Sequence, residues 1–269
     1  QRPIILAGGG VHLSGAQAVL TEFAERFNIP VAHTLSGKGA IACTHALAVG
    51  LFGRYSRIAN DVLERSDCIL VIGCKMGEIA TKRYTLPRNG IPLIHLEILA
   101  EEIGRCVPCD VPLWGDAKAG LEDLASEMSD SAASQHTARG EYAAEVATRM
   151  TTWRMEVQDR LTSSERPVNM ARMCQELNNT LPEDAILVAD GGFAAHWTGL
   201  LCETKAPGRH YIANRGFASI GYGLPGSMGA QLAAGDRPVV GVTGDGGFNM
   251  VIGELETAGR LNSGLTILI

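Results

Sequence analysis

The 269-residue sequence contains no run of Lys or Arg, and its formal net charge is −6. A chain without a basic stripe cannot track a phosphate backbone, so no nucleic-acid partner is expected. No apolar run approaches the roughly 20 residues that a membrane-spanning helix needs, so no membrane partner is expected either. Cysteine is sparse and scattered at 43, 68, 74, 106, 109, 174 and 202. Cys106 and Cys109 have CxxC spacing, but no second pair and no suitably spaced His complete a zinc site. The remaining reading is reduced thiols in a cytoplasmic protein, several of them inside strands. Charged residues make up only 19% of the chain, which excludes a disordered, self-repelling polymer. No leader sequence is visible, and the sequence does not open on Met. The first strand starts two residues after Gln1, and the last apolar run stops at Ile269; both read as the ends of a fragment.

Gly and apolar residues are abundant. The chain has 32 Gly and is 46% hydrophobic, the mix of an α/β protein with tight turns. Pro3–Ala7, Ile29–Ala32, Cys68–Gly73 and Pro92–Leu96 are short continuous apolar runs. Between them, 16, 19, 20, 23, 24 and 27 repeat at helical spacing, and 59–65 reads as a second helix. Continuous strands alternating with helices predict a parallel sheet covered on both faces. The composition turns polar at Ser129–His136, and a charged helical stretch follows over Glu141–Leu161. A second α/β unit then has strands at 185–189, 238–243 and 265–269, and a helix at 251–261. The expected fold is therefore α/β: two doubly wound parallel-sheet domains joined by a helical linker, the second incomplete. The boundaries are 1–128, 129–165 and 166–269.

The strongest chemical signal is Gly244-Asp245-Gly246-Gly247 between a strand and a helix. Ligands of open parallel sheets bind at the carboxyl ends of strands. Glycines there allow a tight turn and close backbone approach. Free N–H groups suit phosphate oxygens, and Asp245 offers a hard oxygen to a Mg²⁺ that bridges a diphosphate. Upstream, Gly221-Tyr222-Gly223-Leu224-Pro225-Gly226 matches GxGxxG. The stretch before it, Ala218-Ser219-Ile220, is a poor strand, and Ala32-His33-Thr34 supplies no acidic residue after the second strand. A nicotinamide-binding dehydrogenase is thus a remote alternative.

Gly244–Met250 with Gly253–Ala258 resembles the cofactor motif of thiamine-diphosphate enzymes of the acetolactate synthase type. That motif begins Gly-Asp-Gly and closes with Asn-Asn about two dozen residues on. Gly221–Ala230 resembles the same family's Gly-Leu-Pro helix start, and Asp190–Trp197 the segment that opens its cofactor domain. Pro3–Gly10, Gly37-Lys38-Gly39, His45 and Gly50 resemble its central domain.

The resemblance implies thiamine diphosphate and Mg²⁺ as cofactors, with Asp245 as metal ligand. Asp190, Gly192, Ala218, Ile220, Gly244, Asp245, Gly246 and Gly247 are then cofactor-binding. Ile220 would be the bulky residue that forces the cofactor into its V conformation, and the carbonyl of Ala218 would accept from the aminopyrimidine. The implied activity is decarboxylation of a 2-oxo acid and transfer of its acyl unit to a second carbonyl. A homo-oligomer, dimer or tetramer, would carry the activity, and the fragment alone would be inactive. Phe193 and Ala194 stand where acetolactate synthases carry Gln and His; this supports a lyase or decarboxylase as the alternative. Retention of Asp245 and Ile220 argues against a non-catalytic subunit. The family's flavin segment has two Arg, and Cys74–Ile79 has neither, so FAD is not expected.

Overall fold

Alternation along the strands divides their apolar residues between two faces, and both faces are covered. The computed structural model describes residues 1–269 and contains ten strands, all paired in parallel. The chain forms two compact units, Gln1–Gln158 and Asp159–Ile269.

In the first unit the strands are β1 (Pro3–Ala7), β2 (Val31–His33), β3 (Ala48–Leu51), β4 (Cys68–Ile72), β5 (Leu93–Glu97) and β6 (Val111–Trp114). Their order is β3-β2-β1-β4-β5-β6. Ile5, Ala7, Leu70 and Ile72 join Leu20, Phe23 and Phe27 of helix Gln17–Phe27 in one core. Ile4, Leu6, Ile69 and Val71 join Val62 and Leu63 in a second core on the opposite face. The strand order reverses between β1 and β4, where doubly wound sheets commonly open a ligand crevice. Here the crevice is closed by backbone. A Cβ on Gly8 would stand 2.1 Å from the Gly73 carbonyl oxygen, and one on Gly10 would stand 2.6 Å from Gly73 Cα.

The helix expected over 141–161 is present, but the unit boundary lies beyond the expected residue 128. Helices Ala132–Ala138 and Gly140–Leu161 occupy most of 129–165, and the first unit extends to Gln158. Tyr142, Val146 and Met150, spaced four apart, are buried in the second core. Arg2 reaches Glu145 at 2.8 Å, and Arg139 donates to the carbonyl of Phe27 at 2.8 Å. A stripe of three residues in an otherwise polar helix is easily read as a linker.

His95 on β5 makes this unit sensitive to acid. Its Nε2 donates to the Cys74 carbonyl at 3.0 Å, and its Nδ1 accepts from the Gly104 N–H at 3.4 Å. Only the neutral ring satisfies both bonds, and burial lowers the pKa of His95. In the unfolded chain the ring regains a pKa of about 6.5, so the unfolded state binds the extra proton first. Stability should therefore fall as the pH drops below about 6.5, by at most about 1.4 kcal/mol per pH unit for this one proton. Urea midpoints at pH 7.5 and 5.5 should show the loss, and His95→Gln should reduce the difference.

In the second unit the strands are β7 (Ile186–Ala189), β8 (Tyr211–Ala213), β9 (Val239–Val242) and β10 (Thr266–Leu268), in the order β10-β9-β7-β8. Ile186, Val188 and Val239 pack with Ala230 of helix Gly223–Ala234. The carboxyl ends of β7 and β9 lie side by side at the reversal point of this sheet. The motif helix begins at Asp245, earlier than the sequence pattern predicts. It runs Asp245–Met250, and a separate helix Glu254–Arg260 follows a turn. No helix in the chain is long and apolar enough to cross a membrane.

Candidate cofactor site

Asp190 follows β7 directly and is 1% exposed. A carboxylate so placed must find donors. Oδ1 accepts from the backbone N–H of Gly191 at 2.6 Å, Gly221 at 3.0 Å and Tyr222 at 2.9 Å. Oδ2 accepts from the Thr243 hydroxyl at 2.7 Å. One side chain thereby ties the end of β7, the end of β9 and the turn before helix Gly223–Ala234 into a single cluster. Among the residues expected to meet cofactor, Asp190 is the one turned inward, its oxygens engaged by protein donors.

Ile220 is 55% exposed. A Cβ on Gly191 would stand 3.4 Å from its Cγ1, and one on Gly247 would stand 3.1 Å from its Cγ2. Ile220 thus rises between the two glycine segments. Ala218 has φ +52°, a left-handed conformation that costs a non-Gly residue about 1 kcal/mol. Its carbonyl oxygen stands 3.0 Å from where a Gly191 Cβ would be. Gly192, Gly244, Asp245 and Gly246 are exposed, and Cβ atoms on Gly192, Gly244 and Gly246 would meet nothing within 4 Å. Gly247 is the buried member of the motif; a Cβ there would fall 2.3 Å from Asp190 Oδ2. Gly247→Ala should therefore lower the urea midpoint of the chain markedly, while Gly246→Ala leaves it nearly unchanged.

Ala218, Ile220, Gly247 and Asp190 come together in the structure, with Gly244, Asp245 and Gly246 on the same turn. Gly192 lies beyond Gly191, where the chain enters helix Phe193–Leu201. Thr243 and the amides of Gly221 and Tyr222 were not anticipated. A polar residue ending an apolar strand immediately before Gly244 was the available signal for Thr243. No group of three or more His, Cys, Asp or Glu capable of holding a metal occurs in the chain. A cation at Asp245 would thus need donors of another kind, such as phosphate oxygens.

Comparison with known proteins agrees with this arrangement. Residues 1–124 match the family model described as thiamine pyrophosphate enzyme, central domain, and residues 190–269 match the C-terminal TPP binding domain. The chain is 34% identical, over 100% of its length, to "Probable acetolactate synthase large subunit" of Methanocaldococcus jannaschii, and covers 45% of that protein. It is 30% identical to the acetolactate synthase large subunit of Lactococcus lactis, with 95% of the chain and 43% of that protein covered. It is also 30% identical to a sulfoacetaldehyde acetyltransferase of Roseovarius nubinhibens, with 96% of the chain and 45% of that protein covered. The chain thus spans less than half the length of these relatives. The second matched domain holds the Asp190 cluster and the Gly244–Gly247 turn, the first holds the six-stranded sheet, and the chain belongs to the thiamine pyrophosphate enzymes.

Proposed function

We propose that this chain holds the diphosphate end of thiamine diphosphate, with Mg²⁺, in an enzyme of the acetolactate synthase type. The observation that carries this reading is the convergence of Gly191, Ala218, Ile220 and Gly247 on the buried Asp190 at a sheet reversal point. Asp245 would be the metal ligand, on the same exposed turn as Gly244 and Gly246. The open space over those glycines leaves room for phosphate oxygens to approach the backbone. Gly192 would line the same opening. Ile220 would wedge the two rings of the cofactor into a V, and the Ala218 carbonyl would orient the aminopyrimidine. Asp190 would act through the loops it positions.

When bound, thiamine diphosphate supplies the electron sink that lets a 2-oxo acid lose CO₂. The full-length enzyme would then join the remaining acyl unit to a second carbonyl. It would work as a homo-oligomer, dimer or tetramer. Phe193, Phe217, Met250, Ile252 and Leu255 are all large and exposed in the second unit, as expected of a surface that a partner covers.

A thiamine-diphosphate lyase or decarboxylase is the second reading. Phe193 is exposed and Ala194 buried, so neither position offers a polar side chain to a diphosphate. Feeding the full-length parent pyruvate and 2-oxobutanoate and identifying products by mass spectrometry separates the two. Branched 2-hydroxy-3-oxo acids support the synthase, and free aldehyde alone supports the lyase.

No flavin should copurify stoichiometrically with the full-length parent. Lys75 is the one cation in 74–79, and it pairs with Glu102 at 3.3 Å. Flavin absorbance near one equivalent per subunit would overturn this expectation.

A further inference from the structure

Outside the cofactor site, the first unit buries a cluster of reactive groups that the proposed activity does not use. His33 ends β2, and the loop after it carries Lys38 and Cys43. His33 and Lys38 are each 1% exposed and Cys43 is 6% exposed. Lys38 Nζ donates to Cys43 Sγ at 3.6 Å. The backbone at Lys38 is pinned from both sides. Its N–H donates to the Leu35 carbonyl at 3.4 Å, and its carbonyl accepts from His12 Nε2 at 3.0 Å. His33 Nδ1 donates to the Thr34 carbonyl at 3.0 Å, while its Nε2 is buried without a hydrogen-bond partner.

Burying an ammonium is costly unless polar or charged groups compensate it, and the Cys43 sulfur lies 3.6 Å from Lys38 Nζ. Burial alone would raise the Cys43 thiol. The Lys38 ammonium, His33 and Arg57 override burial and hold the thiol well below its ordinary value. Cys68, Cys74 and Cys109 are pushed the other way, chiefly by burial. Thiolate character governs oxidation by peroxide.

We propose that Cys43 and Lys38 form a peroxide-responsive modification site, in which oxidation of Cys43 leads to a sulfenamide cross-link with the Lys38 amine. In the first step the thiolate sulfur attacks one oxygen of hydrogen peroxide. The S–O bond forms, the O–O bond breaks, and the departing hydroxide takes a proton from the Lys38 ammonium to become water. A neutral amine is left beside a sulfenic acid. In the second step the amine nitrogen attacks sulfur. The S–N bond forms, the S–O bond breaks, and hydroxide leaves as water with a proton from the nitrogen. One thiolate, one ammonium and one peroxide give one sulfenamide and two waters. The sulfur loses two electrons and the peroxide gains them. An external thiol reverses the change.

The test is to treat the folded chain with hydrogen peroxide, block remaining thiols, digest with trypsin and map the peptides. Trypsin normally separates 27–38 from 39–54. The expected product is one 27–54 peptide, two hydrogens lighter than the uncleaved linear peptide and absent after dithiothreitol. Cys43 should be oxidised about tenfold faster than Cys68 or Cys109, and in urea this advantage should vanish. Lys38→Arg keeps the positive charge, so Cys43 should still gain oxygen but form no cross-link; Cys43→Ser should form none. Two results in the unsubstituted chain would overturn the proposal, whether or not the variants fold. One is a Cys43 that stays unoxidised while the other thiols react. The other is a Cys43 that gains only oxygen, with Lys38 still cleaved by trypsin.

Discussion

Asp190→Ala should destabilise the second unit by about 3 kcal/mol or more, and abolish thiamine diphosphate binding with it. The substitution removes no exposed group. It strands the N–H groups of Gly191, Gly221 and Tyr222 and the hydroxyl of Thr243, all of which donate to this carboxylate. A buried donor left without a partner costs about 1–3 kcal/mol, and water entering the cavity would recover part of that. Thr243→Val removes one donor and leaves three in place, so its cost should be nearer about 1 kcal/mol. Urea unfolding of the purified chain measures both. Wild-type stability in Asp190→Ala would mean that the three segments are held together by packing alone.

Asp245→Ala should give the same loss of cofactor by a different route. Asp245 is exposed in the first turn of a short helix. An acidic residue there contributes only about 0.3–1 kcal/mol to the fold. As the proposed ligand of a bridging cation, however, it should matter greatly to affinity. Replacing even an outer-shell partner of a metal costs about 10–100-fold, so losing this carboxylate should weaken Mg²⁺-dependent binding by at least about 100-fold. Calorimetry on the full-length parent, with Mg²⁺ and with chelator, reads that change. Asp245→Ala with unchanged Mg²⁺-dependent affinity would remove the metal assignment. Equal loss of fold stability in both variants would show that Asp245, like Asp190, is structural. The informative result is the pair: Asp190→Ala loses stability and affinity together, whereas Asp245→Ala loses affinity alone.

Much of the fold was legible because parallel strands buried on both faces are continuous apolar runs; Pro3–Ala7 and Cys68–Ile72 are of that kind. Three short strands, Ala48–Leu51, Val111–Trp114 and Tyr211–Ala213, were not picked out. Val111–Trp114 is largely exposed and contains Pro112, and Tyr211–Ala213 has only three residues. At the site, Asp245 and Ile220 could be picked from motif register, and the structure places them at the same end of the second sheet. What a glycine is for was not legible. Gly8, Gly9 and Gly10 directly follow a strand, as Gly244 and Gly246 nearly do, yet Gly8 and Gly10 are pressed against Gly73. Gly244 and Gly246 carry the same letter and face open space. A missing side chain admits either a neighbouring backbone or a ligand, and only the three-dimensional partner decides which. Asp190 poses the same problem in reverse, since sequence register cannot tell a carboxylate that meets cofactor from one that gathers the loops around it.

The gathering by Asp190 also sets how the rim of the site moves. Amides in a loop exchange with solvent through local opening, at a free energy far below that of global unfolding. The amides of Gly221 and Tyr222 sit next to exposed Ser219 and Ile220, yet both are closed on a buried carboxylate anchored at the end of a central strand. They should therefore exchange as slowly as the amides of β7 and β9, while those of Gly216 and Phe217 exchange within the dead time of the measurement. The wall of the site is then ordered before any ligand arrives, and binding need not supply the entropy of arranging it.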